Sequence, residues 1–403
     1  MTKRSTIIPY GKQCLGKEEI DAVCKVLRSD FLTQGPKVRE FECLLAKTVG
    51  AKYAVAVANG TAALHLAALA LELKPGDEVI TTPISFLATS NAALYVGAKP
   101  VFVDIDPETQ CIDTHLIEKK ISSRTKAIFV TDFGGHAADL EIIHCIAKKH
   151  GLKVLEDAAH ALGASYGSCK VGACRHSDMA IFSFHPVKHI TTGEGGAITT
   201  NDRAFYERLS ELRTHGVTRD PQKLLDKNVG PWYYEMQHLG FNYRLTDLQA
   251  AMGSAQLKKL SQFVARRRQI ARNYCAAFKD LSVSTPVEKP SYKHVYHLFV
   301  MRLHKELASK RKDIFIELQR RGLGVQVHYI PIPSQPYYRA LGYNSKDCPN
   351  AVAYYDSAIS LPMFPKLTDE EIKFTSRTVK EVILSYASSP ANKLSPKTRS
   401  RRS

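Results

Sequence analysis

Hydrophobic positions along this chain switch between helical and strand periods at short, regular intervals. In "KEEIDAVCKVLRS", Ile20, Val23, Cys24 and Leu27 recur at helical spacing and predict an opening helix. The apolar run "YAVAVAN" at 53–59 predicts a strand that leads straight into the helix-forming "GTAALHLAALAL". The order then repeats: strand "DEVITTP", helix "SFLATSNAALYVG", strand "KPVFVDID", helix "THLIEKKI", strand "TKAIFVTDF", helix "DLEIIHCIAKKH" and strand "LKVLED". These strands are continuously apolar, the pattern of a parallel sheet covered on both faces. "MAIFSF" and "GGAITTN" add two strands, and a long helical stretch runs from about Thr246 to Lys279. After "STPVEKP" the pattern changes. "HVYHLFVMRL" reads as a strand, "RKDIFIELQRRG" as a helix, and "VQVHYIPI" as a strand with an irregular continuation.

The expected architecture is therefore α/β. An N-terminal segment (1–35) precedes a large domain with a mainly parallel sheet covered by helices (36–255). A smaller α+β domain (256–388) and a basic, low-complexity tail (389–403) follow.

Composition sharpens this picture only in places. A hydrophobic share of 44% with 24% charged residues is ordinary for a globular chain. No run approaches the roughly 18 consecutive apolar residues that a membrane span needs. "MTKRSTIIPYGKQ" lacks the apolar core of a secretory signal. The nine cysteines are scattered without a Cys-x-x-Cys pair, so reduced thiols in a cytoplasmic protein are expected, not disulfides or a zinc site. Of the formal net charge of +17, five charges belong to Lys393, Lys397, Arg399, Arg401 and Arg402 in the tail, which leaves the body at +12. A basic body suits phosphorylated cofactors or nucleotide sugars, and general basicity without a partner explains it equally well. No nucleic-acid-binding module is recognisable.

Candidate chemistry centres on "SFHPVKHITTGEGGAITTND" at 183–202. By spacing alone Lys188 fits a solvated turn residue. Its place between two apolar strands points the other way, because burial lowers a lysine's pKa and a neutral amine can condense with an aldehyde. The glycines at 193, 195 and 196 permit a tight turn around it, or a plain hairpin loop. Asp157 closes the strand "LKVLED", and in open parallel sheets ligands bind at the carboxyl ends of strands. It either caps the next helix or pairs with the ring nitrogen of a pyridine cofactor, keeping that nitrogen protonated. "NGTAAL" places Gly60 and Thr61 at a strand-to-helix junction, a ready phosphate site and also a common cap. Phe86, just past another strand end, suits either the core or stacking on a flat ring. His185 and His189 are four apart with Pro186 between them, which speaks against a metal site. No Gly-x-Ser-x-Gly elbow, Walker loop or dinucleotide fingerprint is present.

Taken in order, "LTQG…FE", "NGTAAL", "PGDEVITTPISFLAT", "GAKPVFVDID", "EDAAHALGA", "SFHPVKHITTGEGG", "GFNYRLTDLQAAMG" and "VQVHYIPI" form a pattern. Through them the chain resembles the DegT/DnrJ/EryC1/StrS family of pyridoxal-phosphate-dependent sugar aminotransferases over roughly residues 7 to 385. The resemblance implies the fold type I (aspartate aminotransferase-like) architecture of pyridoxal-phosphate enzymes. It implies Lys188 as the aldimine lysine and Asp157 as the carboxylate at the pyridine nitrogen. His160 corresponds to a contact with the cofactor's phenolic oxygen and Phe86 to the stacking aromatic residue. Thr61, Ala62 and Ser183 correspond to phosphate-binding positions. Asn242 matches an asparagine that reaches the phosphate from a second subunit, which implies a homodimer with shared active sites. Ser183 and Asn242 also count among the substrate contacts, with Tyr10, Asp30, Phe31, Leu32, Thr33, Gly60, Gln326, Val327, His328 and Tyr329.

The implied reaction is a ping-pong transfer of an amino group from L-glutamate to a nucleotide-linked keto sugar. The wording "TTPISF", "SFHPVK…EGG" and "QVHYIPI" points within the family to C4 of UDP-2-acetamido-2,6-dideoxy-β-L-arabino-hex-4-ulose, on the pseudaminic acid pathway. Amination of another nucleotide-linked keto sugar is the nearest alternative. A sugar 3-dehydratase on this scaffold replaces the lysine with histidine, so Lys188 argues against it. A non-catalytic pyridoxal-phosphate-binding or nucleic-acid-associated protein predicts a degraded site, whereas Asp157, Ser183 and Lys188 are all present. The resemblance carries no expectation of a metal, of membrane attachment or of nucleic-acid binding.

Overall fold

The computed structural model describes residues 7–388; the basic tail at 389–403 lies outside them. Seven strands build the large sheet: β1 (Tyr53–Val57), β2 (Glu78–Thr81), β3 (Lys99–Phe102), β4 (Thr125–Thr131), β5 (Lys153–Asp157), β6 (Met179–Ser183) and β7 (Gly196–Thr200). Their spatial order is β1-β7-β6-β5-β4-β2-β3. All run parallel except β7, which is antiparallel to both β6 and β1. Register brings Thr131 beside Asp157, Asp157 beside Ile181, and Ser183 beside Gly196. The carboxyl ends of β4, β5, β6 and β1 thus share one edge. Because β7 runs back, the connection 184–195 stays at that edge and does not cross a face of the sheet.

Strands buried over almost their whole length confirm the two-sided cover that the apolar runs predict. On one face, the helix Gly60–Ala70 sets Leu64, Leu66 and Ala67 against Val55, Ile181 and Ile198. On the other, the helix Pro36–Val49 packs Phe41 and Leu45 with Phe182 and Phe184. A second, three-stranded antiparallel sheet joins Val283–Ser284, Phe299–Leu303 and Ala358–Leu361. Helices Arg311–Arg320 and Asp369–Ala387 complete its core through Ile314, Leu318, Val379 and Ile383. The helix Leu260–Phe278 serves both bodies, giving Leu260 and Val264 to the large sheet's core and Ile270, Tyr274 and Phe278 to the smaller one.

Three expectations differ from the observed elements. The helical stretch from about Thr246 to Lys279 is two helices, Asp247–Leu257 and Leu260–Phe278. Lys259 N–H bonds the Gln256 carbonyl at 2.9 Å, an i−3 contact that tightens the turn, while Lys259 Nζ is held by Glu18 and Glu19. The strand expected over "HVYHLFVMRL" spans only Phe299–Leu303, because the amides of Val295 and Leu298 bond the Gly135 and Gly134 carbonyls. The segment "VQVHYIPI" makes a single bridge, Gln326 to Ser360, and forms no strand. It crosses to the large sheet, where Ile332 N–H reaches the Pro83 carbonyl, and Pro331 and Pro333 supply no ladder donors.

Among the described residues, no helix is long and apolar enough to cross a membrane. All nine cysteines are free thiols.

Candidate active site

A cavity of about 1050 Å³ opens over the carboxyl edge of the large sheet. Asp157 forms part of its floor as the last residue of β5, where it is buried. Its Oδ2 accepts from Thr89 Oγ1 at 2.5 Å and its Oδ1 from the Ala159 amide at 3.1 Å. Burial pushes the Asp157 carboxyl above the usual carboxylate range, and those two donors work against the shift.

Lys188 rises from the 184–195 connection, in a turn closed by its own amide on the His185 carbonyl at 2.9 Å. Burial is the main reason that its amine is pulled down to about 8. Asp157 opposes that fall and the Arg267 guanidinium adds to it. An amine in this range is partly neutral at physiological pH, which is what a nucleophile or proton carrier requires.

The helix Gly60–Ala70 points its N-terminus into the cavity, with Gly60, Thr61 and Ala62 in the lining. Asn59 caps it by accepting from the Ala62 amide at 2.8 Å. Bare backbone is needed here. A Cβ on Gly196 would stand 2.4 Å from the Asn59 carbonyl oxygen and 2.8 Å from the Gly60 nitrogen. Ser183 and Gly60 meet across the same corner.

Histidines and tyrosines form the opposite wall. The His160 ring stacks on His297 with centroids 4.3 Å apart, and His160 Nε2 lies 3.2 Å from the Tyr329 hydroxyl. The Nδ1 atoms of His160 and His297 are buried without a partner among the described residues. His328 Nδ1 contacts Ser360 Oγ at 2.8 Å, and its ring lies 5.4 Å from that of Tyr10. Burial holds His160 and His297 well below the usual histidine range and His328 at about 4, so all three are neutral near pH 7. Phe86 lines the mouth, 56% exposed and therefore free to cover a ligand.

The cavity thus gathers Tyr10, Gly60, Thr61, Ala62, Phe86, Asp157, His160, Ser183, Lys188, His328 and Tyr329 from the residues expected of a site. Asp30, Phe31, Leu32, Thr33, Asn242, Gln326 and Val327 do not line it within one chain. Asn242 is exposed on the strip next to Tyr243, and Asp30 to Thr33 are exposed beyond the helix Lys17–Leu27. Ser85, Thr89, Thr131 and His297 also line it and were not expected from the sequence. Ser85 and Thr89 sit at i, i+4 beside Phe86, a spacing that was available as a signal. His297 carries none, since it lies inside a strand-like run. Among the described residues no group of three or more His, Cys, Asp or Glu could hold a metal ion.

The family model described as the DegT/DnrJ/EryC1/StrS aminotransferase family matches residues 13–380. Spore coat polysaccharide biosynthesis protein SpsC of Bacillus subtilis is 40% identical over 385 residues, covering 94% of this chain and 98% of that protein. The structure of PseC from Helicobacter pylori, an aminotransferase involved in the biosynthesis of pseudoaminic acid, matches with a TM-score of 0.87 at 34% identity, over 94% of this chain and all of that one. Spr1654 from Streptococcus pneumoniae, solved in its PLP form, matches with a TM-score of 0.88 at 30% identity, over 94% and 99% of the two chains.

Proposed function

The chain belongs to the DegT/DnrJ/EryC1/StrS aminotransferase family, and from that premise we propose a donor, an acceptor and a set of working residues. It is a pyridoxal-phosphate-dependent sugar aminotransferase. The proposed reaction moves the amino group of L-glutamate to C4 of UDP-2-acetamido-2,6-dideoxy-β-L-arabino-hex-4-ulose, giving UDP-4-amino-4,6-dideoxy-N-acetyl-β-L-altrosamine. The observation that carries the catalytic part is the half-buried Lys188 amine, pulled down to about 8, sharing one cavity with the buried carboxylate of Asp157.

The residues present fit pyridoxal phosphate. A helix N-terminus with bare glycine backbone suits its phosphate, through Gly60, Thr61, Ala62 and Ser183. Asp157 suits its ring nitrogen, the unpartnered His160 edge its phenolic oxygen, and Phe86 its open face. When bound, the cofactor supplies an electron sink for the carbon that gains or loses a proton. Lys188 Nζ removes the α-proton of the amino acid and delivers a proton to C4 of the sugar. Asp157 keeps a negative charge facing that sink, and the neutral histidines add none. Tyr10, His328 and Tyr329 leave the far side of the cavity polar enough for a hydroxylated sugar. Asn242, exposed on its own chain, is assigned to the phosphate of a partner's site in a homodimer. Asp30 to Thr33, Gln326 and Val327 are assigned to the sugar nucleotide.

Likeness to PseC supports the pseudaminic acid substrate. Likeness to SpsC favours a second reading, amination of a different nucleotide-linked keto sugar. A coupled half-reaction decides between them. The enzyme is loaded with glutamate, which bleaches the bound-cofactor absorbance, and is then offered UDP-, dTDP- and GDP-linked 4-keto sugars. Fastest recovery of the band with the proposed UDP-sugar supports the first reading, and faster recovery with another sugar supports the second. No band, or one unchanged in Lys188→Ala, overturns the assignment of the lysine.

A further inference from the structure

Arg267 lies on the helix Leu260–Phe278 and is 1% exposed, yet it has no carboxylate partner among the described residues. Its donors go to main-chain carbonyls in three separate segments. Nη1 reaches Met363 at 3.0 Å and both Tyr296 and His297 at 3.2 Å, and Nη2 approaches Val187 at 3.5 Å. Nε has no partner. Burying a guanidinium without a counter-charge is costly, and a methionine of similar length would fill the space without that cost. The planar five-donor fork does what methionine cannot: it gathers several carbonyls at fixed angles.

Two of those carbonyls belong to or adjoin residues of the site. Val187 immediately precedes Lys188, and His297 is the ring on which His160 stacks. Met363 follows the last strand of the small sheet, so the fork ties the lysine turn to both bodies at once. We propose that Arg267 is a positioning residue for the amino-transfer site, holding the Lys188 turn and the His297 loop in register and keeping a positive charge beside the Lys188 amine. The inference rests on the assignment of Lys188 as the cofactor lysine.

The charge has few competitors. The titratable groups facing Lys188 are Asp157 from β5, Arg267 from its helix, and His160, His189, His297 and His328 from the surrounding loops. Burial keeps the four histidines below their ordinary range, so the charges acting on the Lys188 amine are the negative Asp157 and the fixed positive Arg267, while Glu194 also lines the cavity. Removing the guanidinium leaves Asp157 unopposed and favours the protonated form of the lysine nitrogen.

The test uses the full-length holoenzyme and two variants, with the pH midpoint of the bound-cofactor absorbance band as readout. Arg267→Met is expected to move that midpoint up by about one unit, the size of shift a neighbouring charge produces. Arg267→Lys keeps the charge but not the fork. It is expected to hold the midpoint while the affinity for pyridoxal phosphate falls about tenfold through lost hydrogen bonds. An Arg267→Met midpoint equal to wild type, with only the melting temperature lowered, makes the residue merely structural and overturns the proposal. Should Arg267→Met fail to fold, an Arg267→Lys protein matching wild type in both midpoint and affinity overturns it equally. A wild-type holoenzyme whose band does not depend on Lys188 refutes the underlying assignment instead.

Discussion

Thr89 Oγ1 donates to Asp157 Oδ2 at 2.5 Å, joining the first turn of the helix Ala88–Tyr95 to the end of β5. The contact continues outward, from Thr89 to Ser85 at 2.8 Å and from Thr131 to Ser85 at 3.2 Å. A chain of hydroxyls therefore runs beneath the carboxylate proposed to face the cofactor. Each donor pointed at an ionised oxygen favours the charged form, against a burial that raises the carboxyl pKa.

Replacing Thr89 with valine keeps the shape of the side chain and removes that donor. The folded-state pKa of Asp157 is already raised, so losing the hydroxyl raises it further and extends protonation to higher pH. Thr89→Val is expected to move the acidic limb of the kcat–pH profile upward and to lower kcat about tenfold, the value of one hydrogen bond to a charged group. An acidic limb that stays in place shows that Thr89 does not tune Asp157.

Gly60 offers a test of the phosphate assignment. A Cβ there would sit 3.0 Å from Ser183 Cβ and 3.3 Å from its hydroxyl, forcing apart two groups assigned to the phosphate. Alanine is otherwise welcome at the start of a helix, so the apoprotein should melt close to wild type. Gly60→Ala is expected to weaken binding of pyridoxal phosphate about tenfold, or about 1.4 kcal/mol, and to leave binding of unphosphorylated pyridoxal unchanged. Absorbance titrations with the two compounds decide it, and equal losses for both rule out a phosphate-specific role.

Asp157 is placed by sequence because it closes an apolar strand, and Lys188 because it lies in the short connection that follows another, and the carboxyl ends of strands in a parallel sheet face a common crevice. The expected order of strands and helices held through the large sheet for the same reason: local periodicity reports burial on the element that carries it. Thr89 and Arg267 were illegible because their partners are remote. Thr89 meets Asp157 across 68 positions, and Arg267 takes carbonyls 29, 30, 80 and 96 positions away. The same carbonyl capture explains why the apolar run at 294–303 is a strand only at its end. Its first residues bond to Gly134, Gly135 and Arg267 and have no sheet neighbour, a fact no period of two can announce.

The edge of the large sheet carries its own prediction. β1 is an edge strand, and its residue Ala56 would leave an amide and a carbonyl unpaired. Glu42 Oε1 accepts that amide at 2.8 Å, Arg213 Nη1 donates to that carbonyl at 2.7 Å, and the two side chains pair with each other. Glu42→Ala breaks a largely buried ion pair and strands the guanidinium, so a loss of about 3 kcal/mol is expected. Chemical denaturation measures it. The double variant Glu42→Ala/Arg213→Met should recover part of the loss, whereas simple additivity of the two changes contradicts the coupling.

A buried pair of acids, Asp132 and Glu156, gives stability a pH dependence. Asp132 Oδ1 accepts from the Ala138 amide, and the Asp132 and Glu156 carboxyls lie against each other. Glu156 accepts from the Gly172 amide and from Ser177 Oγ. Burial pushes both carboxyls above the ordinary range, and the neighbouring Glu156 adds to the rise at Asp132. With folded-state values above those of the unfolded chain, the native protein holds more protons. Its stability is then fully present below the ordinary carboxylate range and declines as pH rises towards neutrality. Glu156→Gln keeps the shape and an acceptor for Gly172 but cannot ionise. Its advantage over wild type is expected to grow by about 1–2 kcal/mol between pH 4 and pH 8. Denaturation curves at the two pH values provide the check, and parallel pH dependence in wild type and variant would show that the pair does not titrate in this window.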